Sequence, residues 1–432
     1  MKVSLSSLQW MVFILAGSLV APIAIGDAFH LSQSETAQLL QRCFLIIGIA
    51  GILQVLLGHK LPVLEGPAGL WWGVFTVYAG IAASGALTIE LALRELAMGM
   101  FISGALFILL ALFKMIEKLR SWFTPLVTGT YLILLVSQLS GSFIKGILGI
   151  GYLTKGVDGK VAAAAIGVLI FSIIIGKSSI VWLRSYSILI SLLFGWCLFT
   201  IFSLNKESAS AGSWFQAPEI MSWGLPHFSG GITITSVFIG LLLLTNMVAS
   251  INVTETAFKS VKEPYEKVNY NRAGFFMGIS TWIAGLLSAV APVPISGSAG
   301  FMLTTRIFSR LPFIIGNVLI IVISFFPKLT YFFAAIPAPV GYATIFLPFS
   351  SMIALALKEY RGQIQSDSKL FIIATSLMIG IGTLFIPPAA LTGLPSLLVT
   401  LLSNGLVLGM ITCIILEQFQ AAKDKKQLNK TV

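Results

Sequence analysis

Two stretches rich in proline and glycine interrupt the apolar segments of this chain at similar depths in its two halves. The first stretch is Pro62–Gly69 (PVLEGPAG) and the second is Pro292–Gly300 (PVPISGSAG). Proline and glycine break the hydrogen bonding of a spanning helix, and unpaired backbone at membrane depth survives only where it lines a cavity or a binding site. Broken segments at corresponding places predict a secondary transporter with an inverted repeat and a substrate site near the midplane.

The composition indicates a polytopic protein of the cell membrane, with the lipid bilayer as its partner. Of the 432 residues 57% are hydrophobic and 10% charged, which is too apolar for a soluble protein. The formal net charge of +11 does not indicate a nucleic-acid partner, because the basic residues are scattered over the loops. The sequence holds no HExxH, GxSxG or Walker motif and no Cys/His cluster. We therefore expect no enzymatic activity, no metal site and no cofactor.

Fourteen apolar segments are predicted, in two sets of seven. They begin near residues 8, 39, 61, 95, 124, 161, 185, 233, 271, 293, 311, 337, 368 and 395. An even number of spans puts both termini on one side. Tracing the loops leaves seven of the 27 Lys and Arg residues on the far side: Arg42, Arg94, Lys145, Lys155, Lys160, Lys206 and Lys328. The positive-inside rule therefore predicts cytoplasmic N- and C-termini.

An internal repeat supports this division. Residues 118–129 open the fifth span and residues 328–341 open the twelfth, seven segments later, so the second copy is inverted in the membrane. We predict an all-α membrane protein in which short strands break spans 3 and 10. Residues 1–204 form the first seven-span repeat, 205–232 an extracellular loop, 233–416 the second repeat and 417–432 a cytoplasmic tail.

Motifs in several spans carry a family resemblance. Gln9-Trp10 with Gly17 and Val20-Ala-Pro22 fits span 1, Leu61–Gly66 fits span 3, and Asn271–Gly274 with Gly285 fits span 9. The span 10 signature is Gln or Glu, Asn, any residue, Gly, four residues, Thr, then Arg, Lys or Gly. It falls on Gly297–Arg306, where the Gly, Thr and basic positions match and the first two do not. The chain resembles the nucleobase–ascorbate transporter family, which includes bacterial uracil and purine permeases.

The resemblance implies a nucleobase substrate, a purine or uracil, and a proton or sodium gradient as the driving force. In the family, acidic or amide side chains in spans 8 and 10 hold the base; these positions are Asn246 and Gly297 here, and Ser250 follows Asn246 by one turn. Asn can donate and accept hydrogen bonds but cannot carry a proton. The resemblance also implies a core unit of spans 1–4 and 8–11 and a gate unit of spans 5–7 and 12–14, and leaves open a homodimer through the gate units.

One carboxylate is a candidate for the coupling proton. An ionisable residue at membrane depth costs about 2.5–3.5 kcal/mol on insertion scales and is a functional-site hypothesis. Aligning residues 65–67 with residues 296–298 makes Glu65 the repeat partner of Ser296, facing the same cavity. The alternative is a structural Glu65, held by backbone N–H groups or by a basic residue. The predicted substrate-binding residues are Glu65, Gly66, Gly69, Asn246, Ser250, Gly297 and Ser298.

Other residues and functions remain as alternatives. Trp71 and Trp72 are interpreted as stacking on a planar base or as packing residues, and His30, His59 and His227 as loop or interface residues. Two facing helix N-termini without the family carboxylates would also suit an anion transporter of the sulfate permease type. Glu65 argues against that function, since its charge would repel an anion. A non-transporting sensor of the same fold is the remaining alternative.

Overall fold

The computed structural model describes residues 2–119, 124–206, 213–391, 394 and 396–431. The predicted start of a segment near Pro395 and parts of the predicted repeat and loop (residues 120–123 and 207–212) lie outside this range. The first helices and strand are α1 (Lys2–Ser18), α2 (Val20–Ala28), α3 (Gln33–Leu56), β1 (Glu65–Pro67), α4 (Gly69–Ala83), α5 (Ile89–Leu112), α6 (Ile116–Leu119), α7 (Pro125–Ile147), α8 (Gly159–Gly176), α9 (Val181–Ser185) and α10 (Ser187–Ile201).

The remaining elements follow the loop that precedes Gly230. They are α11 (Gly230–Ser260), α12 (Tyr270–Leu286), β2 (Pro292–Pro294), α13 (Gly297–Thr305), α14 (Arg310–Ser324), α15 (Pro327–Ala334), α16 (Ala338–Tyr360), α17 (Asp367–Thr383), α18 (Ser396–Ser403) and α19 (Gly405–Thr431). Helix α19 continues past residue 416, so the predicted tail begins as a helix.

The chain is a mostly helical membrane protein, as predicted. Within the described residues, eight helical stretches are long and apolar enough to cross a membrane, and Val3–Ala28 joins α1 and α2 into one of them. A further pair, α13 and α14, meets at an angle of 119°. Helices α4 and α10 are shorter but also apolar. The count of 14 spans stays a prediction.

The two Pro/Gly stretches form the predicted strands. β1 and β2 pair in antiparallel register, with Glu65 opposite Pro294 and Pro67 opposite Pro292. The ladder extends beyond the strands, because the Ile295 N–H donates to the Leu64 carbonyl at 2.9 Å. The strands are buried on all sides. Each break therefore satisfies its backbone by pairing with the other, which is the solution that the membrane interior requires.

Glycines let the long helices approach closely. A Cβ on Gly104 of α5 would lie 2.8 Å from the carbonyl oxygen of Gly278 on α12. Between α7 and α16, Gly129 meets Tyr360 while Gly146 meets Tyr342, so these two helices run antiparallel. Small residues at such crossings are typical of helix packing in membranes. The predicted repeat stretches, residues 118–129 and 328–341, lead into α7 and α16. Inverted copies are expected to run antiparallel, as these two helices do.

The molecule has two polar ends, which lie at opposite ends of α3. At 24 residues α3 is about 36 Å long, enough to cross the hydrocarbon. We call the end with Lys60, Glu266 and Arg310 the Glu266 face, and the end with Arg94 the Arg94 face. At the Arg94 face, the Arg94 Nε donates to the Leu225 carbonyl at 2.7 Å and fixes the loop before α11.

Candidate functional site

Two helix N-termini converge on the strand pair. Helix α4 begins at Gly69 just after β1, and α13 begins at Gly297 just after β2. Because the strands are antiparallel, the two helices leave in opposite directions and point their N-termini toward the same strands. Within the described chain, the side chains of Ala68 and Ser296 make no capping hydrogen bond. At α13 the Ser298 and Ala299 N–H groups already donate to the carbonyls of Ile295 and Ser296, at 3.1 Å each. The donors that remain are the Gly297 N–H and the first N–H groups of α4, with the positive dipole ends beside them.

The glycines at these breaks differ in their surroundings. Gly297 is exposed and Gly69 is half-buried, whereas Gly66 is buried. A Cβ on Gly300 would meet no described atom within 4 Å, but a Cβ on Gly66 would lie 3.0 Å from Cγ1 of Ile295. Open space therefore adjoins the start of α13, and Gly66 serves close packing between the strands.

Ser298 links the two breaks directly. Its side chain is buried, and its Oγ accepts a hydrogen bond from the Leu64 N–H at 2.9 Å. The hydroxyl thereby satisfies a backbone donor just ahead of β1. This contact gives Ser298 a structural task, whereas its contact with substrate stays a prediction.

Asn246 and Ser250 lie one turn apart on α11, which packs against β2 and α13. Ser250 is buried, and Asn246 is partly exposed. The structure thus places both residues on the helix that lies beside the open start of α13. Their contact with a substrate stays a prediction.

Glu65 occupies a different position from the one predicted. It opens β1 and stands opposite Pro294, whereas Ser296 directly precedes α13 as Ala68 precedes α4. The equivalence of Glu65 with Ser296 is therefore wrong, because the two sequence stretches were aligned on their glycines and not on the starts of the helices. The carboxylate is buried, and its Oε1 lies 3.1 Å from Nε2 of His59.

His59 is the residue that the sequence reasoning missed. It is 1% exposed, although it lies in the irregular stretch between α3 and β1. The Leu61 N–H donates to its Nδ1 at 3.1 Å, and its own N–H donates to Oε1 of Gln54 at 3.3 Å. The spacing of His59 and Glu65 matches no regular element, so no periodicity could have paired them.

The two tryptophans after the first break belong to the packed interior, and their stacking on a base stays a prediction. Trp71 and Trp72 are both buried. The Trp72 ring contacts Phe143 of α7 and Phe349 of α16, with ring centroids 5.4 and 5.7 Å apart. These contacts join α4 to the two long antiparallel helices and leave the Trp72 ring in an aromatic cluster.

A cleft of about 870 Å³ opens on the Glu266 face. Lys60, Glu266, Arg306 and Arg310 are among its lining residues, and Asn246 is not. Glu266 accepts hydrogen bonds from Lys60 and Arg310, which lower the pKa of this exposed carboxyl. The three charges link the stretch after α3, the loop before α12 and the start of α14.

Comparisons with known proteins agree with this architecture. A family model described as a permease family, of the xanthine/uracil type, matches residues 1–389. This chain belongs to the nucleobase–ascorbate transporter family. It is 45% identical to "Putative purine permease YwdJ" of Bacillus subtilis (strain 168), over 99% of this chain and 98% of that protein. It is 25% identical to the uric acid permease PucJ of the same organism, over 99% of this chain and 94% of that protein.

Solved structures share the fold of this family member. The transmembrane domain of the cyanobacterial bicarbonate transporter BicA matches with a TM-score of 0.61 at 15% identity, covering 96% of this chain and 97% of that domain. The murine anion transporter Slc26a9 in its inward-facing state matches with a TM-score of 0.60 at 11% identity, covering 96% of this chain and 68% of that one. At these identities the likeness concerns the fold alone.

Proposed function

We propose that this chain is a secondary transporter that imports a nucleobase, in the first place a purine, across the cell membrane. The observation that carries the proposal is the pair of broken spans. Their paired strands hold two helix N-termini without side-chain caps at one place, and the chain belongs to a family of nucleobase permeases. The names of the relatives, which include purine, uric acid and xanthine permeases, support a purine over other small molecules.

The proposed site suits the edge of a planar base. The Gly297 N–H and the free N–H groups at the start of α4 would donate to ring carbonyls, and the Asn246 amide would both donate and accept. Gly297, in place of the family's acidic or amide side chain, leaves room beside the open start of α13. We assign Gly69, Asn246, Ser250 and Gly297 to substrate contact, and Gly66 and Ser298 to holding the breaks together.

An anion substrate is less favoured. Two helix N-termini without fixed carboxylates would suit an anion, and the structural neighbours BicA and Slc26a9 transport anions according to their descriptions. The identity to these proteins is 15% and 11%, against 45% to a protein named as a purine permease. The anion transporter is retained as one arm of the uptake experiment below.

We further propose that the Glu266 face is cytoplasmic and that protons drive import. Ser6 of α1 lines the cleft at this face, and 20 of the 27 basic residues are predicted on the side of the termini. Glu65 is the candidate for the proton, because Asn246 and Gly297 cannot titrate. Sodium coupling is the alternative, and it would leave Glu65 with a structural role.

Movement of two units would carry the substrate across. Helices α1, α3, α5, α11, α12 and α14 pack with one another, as do α7, α8, α16, α17 and α19. This grouping supports the proposed division into a core unit and a gate unit. The substrate would lie on the core unit and face the gate unit, which moves relative to it.

Uptake into cells lacking endogenous permeases tests the function. Labelled uracil, xanthine, hypoxanthine, guanine, adenine, urate, sulfate and bicarbonate are compared, with the empty vector as control. We expect saturable uptake of at least one purine and none of either anion. Uptake of sulfate or bicarbonate alone would replace the proposal with the anion transporter, and no uptake at full surface expression would favour the sensor.

A further inference from the structure

His59 and Glu65 form a buried pair next to the cleft on the Glu266 face. Both side chains are almost fully buried, and 3.1 Å separates Nε2 of His59 from Oε1 of Glu65. The next two residues after His59, Lys60 and Leu61, line the cleft. His59 thus stands between the strand pair and the polar cleft.

The surrounding hydrogen bonds fix one tautomer of His59. Because the Leu61 N–H donates to Nδ1, that nitrogen carries no proton, and the ring hydrogen lies on Nε2, directed at Glu65. The His59 N–H is held by Gln54, whose Nε2 donates to the Ala273 carbonyl at 3.0 Å. A second ring proton, on Nδ1, would point at the Leu61 N–H, and the two donors would repel each other. The imidazole therefore stays neutral.

We propose that His59 is the positioning residue for proton transfer at Glu65, an inference that rests on the proposed proton-coupled import. The neutral imidazole donates its Nε2–H to Oε1 of Glu65 throughout the cycle and leaves Oε2 as the oxygen that carries the proton. On the outer side a hydronium ion gives up its proton: its O–H bond breaks, an O–H bond forms at Oε2, and a water molecule remains. On the inner side this bond breaks, and the proton leaves through the cleft to water, while His59 keeps its own hydrogen.

The hydrogen bond from His59 matters most when Glu65 has released its proton. A hydrogen bond from a neutral donor to a carboxylate is stronger than one to a carboxylic acid, so His59 stabilises the empty, ionised carrier that must return. Without this donor, the ionised state becomes less favourable and the proton is released only at higher internal pH. Exchange of substrate, in which Glu65 stays protonated, does not need the donor.

The charged groups around the pair belong to the Glu266 face. Lys60 directly follows His59, and Arg272 directly precedes Ala273, the residue that Gln54 contacts. Arg310, at the start of α14, interacts electrostatically with His59. Glu266 forms ion pairs with Lys60 and Arg310. Arg306 and a second carboxylate, Glu263, line the same cleft, so Glu266→Gln and Glu263→Gln both serve as controls. A pH dependence that survives both changes belongs to the buried pair.

Gln and Asn at residue 59 carry the same amide group on side chains that differ in length by one methylene. The amide nitrogen of Gln lies close to the position of Nε2, whereas that of Asn lies close to Nδ1 and faces the Leu61 N–H. The full chain is purified and reconstituted into proteoliposomes with internal and external pH set separately. The substrate is the purine found by the uptake panel, and both exchange and accumulation are measured. His30→Gln and His30→Asn, at an exposed histidine, are the matched controls.

We expect His59→Gln to accumulate substrate with the pH profile of the wild type. His59→Asn should retain exchange, lose accumulation at least about tenfold at internal pH 7, and regain it as internal pH rises. Wild-type accumulation and pH profile in His59→Asn would overturn the inference, as would loss of accumulation in His59→Gln with exchange intact. Loss of exchange in both variants would show a purely structural His59. A wild type that transports no base overturns the proposed function as well.

Discussion

The backbone N–H of Leu64, before the first break, donates to the side chain of Ser298, after the second, at 2.9 Å. Both groups are buried. Ser298→Ala leaves the Leu64 donor without this partner at membrane depth, which costs about 1–3 kcal/mol. We expect a lower melting temperature for the variant in detergent. Ser296→Ala, at an exposed neighbouring serine, is the control and should melt like the wild type; equal melting of both variants would contradict the structural role of Ser298.

The two breaks also predict opposite responses to an added methyl group. Gly66→Ala places a Cβ 3.0 Å from Ile295 inside the strand pair, so this variant should be less stable than the wild type. Gly300→Ala places a Cβ in open space on a helix, where Ala is favoured over Gly by up to about 1 kcal/mol, so its stability should not fall. Thermal unfolding of the two purified variants compares them. A less stable Gly300→Ala would show that this space is filled.

Asn246→Ala tests the assignment of the amide to substrate. Loss of a hydrogen bond to a base edge should weaken apparent affinity by about 1–3 kcal/mol while surface expression stays unchanged. Uptake is measured as a function of purine concentration. The control is Thr245→Ala, since the Thr245 hydroxyl donates within its own helix to Leu241. Unchanged affinity in Asn246→Ala would remove this residue from the site.

The Glu266 network should respond to pH and salt as an exposed ion-pair cluster. Hydrogen bonds from Lys60 and Arg310 lower the pKa of Glu266 below its ordinary value of 4.5. Its stabilisation is therefore fully present above that value and is lost as pH falls through the lowered pKa. We expect Glu266→Gln to lower the melting temperature slightly at pH 7 and low salt, and less in high salt. An equal decrease at every salt concentration would contradict an electrostatic role.

The sequence predicted the breaks because their signal is local. Proline and glycine forbid a regular helix at such positions, and buried backbone must then pair, so a short strand within each of the stretches 62–69 and 292–300 is predicted from the sequence. The structure gives the bounds as 65–67 and 292–294. The partner of Glu65 could not be predicted in this way. His59 reaches it only because Leu61 and Gln54 fix the turn between α3 and β1, and that geometry depends on how α3 packs against α12.

The same limit applies to the candidate substrate residues. Alignment to the family put Asn246 and Gly297 near each other, and α11 does lie against α13. The task of Ser298 could not be read from its motif position, because the residue that it bonds, Leu64, is more than two hundred residues away in the chain. Glu65 was likewise aligned on a glycine pattern that does not coincide with the starts of the helices.

Transport by Glu65→Gln decides whether this carboxylate carries the coupling proton. Glutamine keeps the size of the side chain and a carbonyl that accepts from His59, but it cannot titrate. Exchange requires only that the loaded carrier reorients, whereas net uptake requires the proton to leave.

The measurement is purine accumulation and exchange by Glu65→Gln in proteoliposomes over a range of pH, with Glu90→Gln at an exposed carboxylate as control. We predict that Glu65→Gln exchanges internal for external purine, does not accumulate it against a gradient, and shows no pH dependence. Accumulation by Glu65→Gln with the pH profile of the wild type would contradict the account and leave sodium coupling or facilitated diffusion in its place.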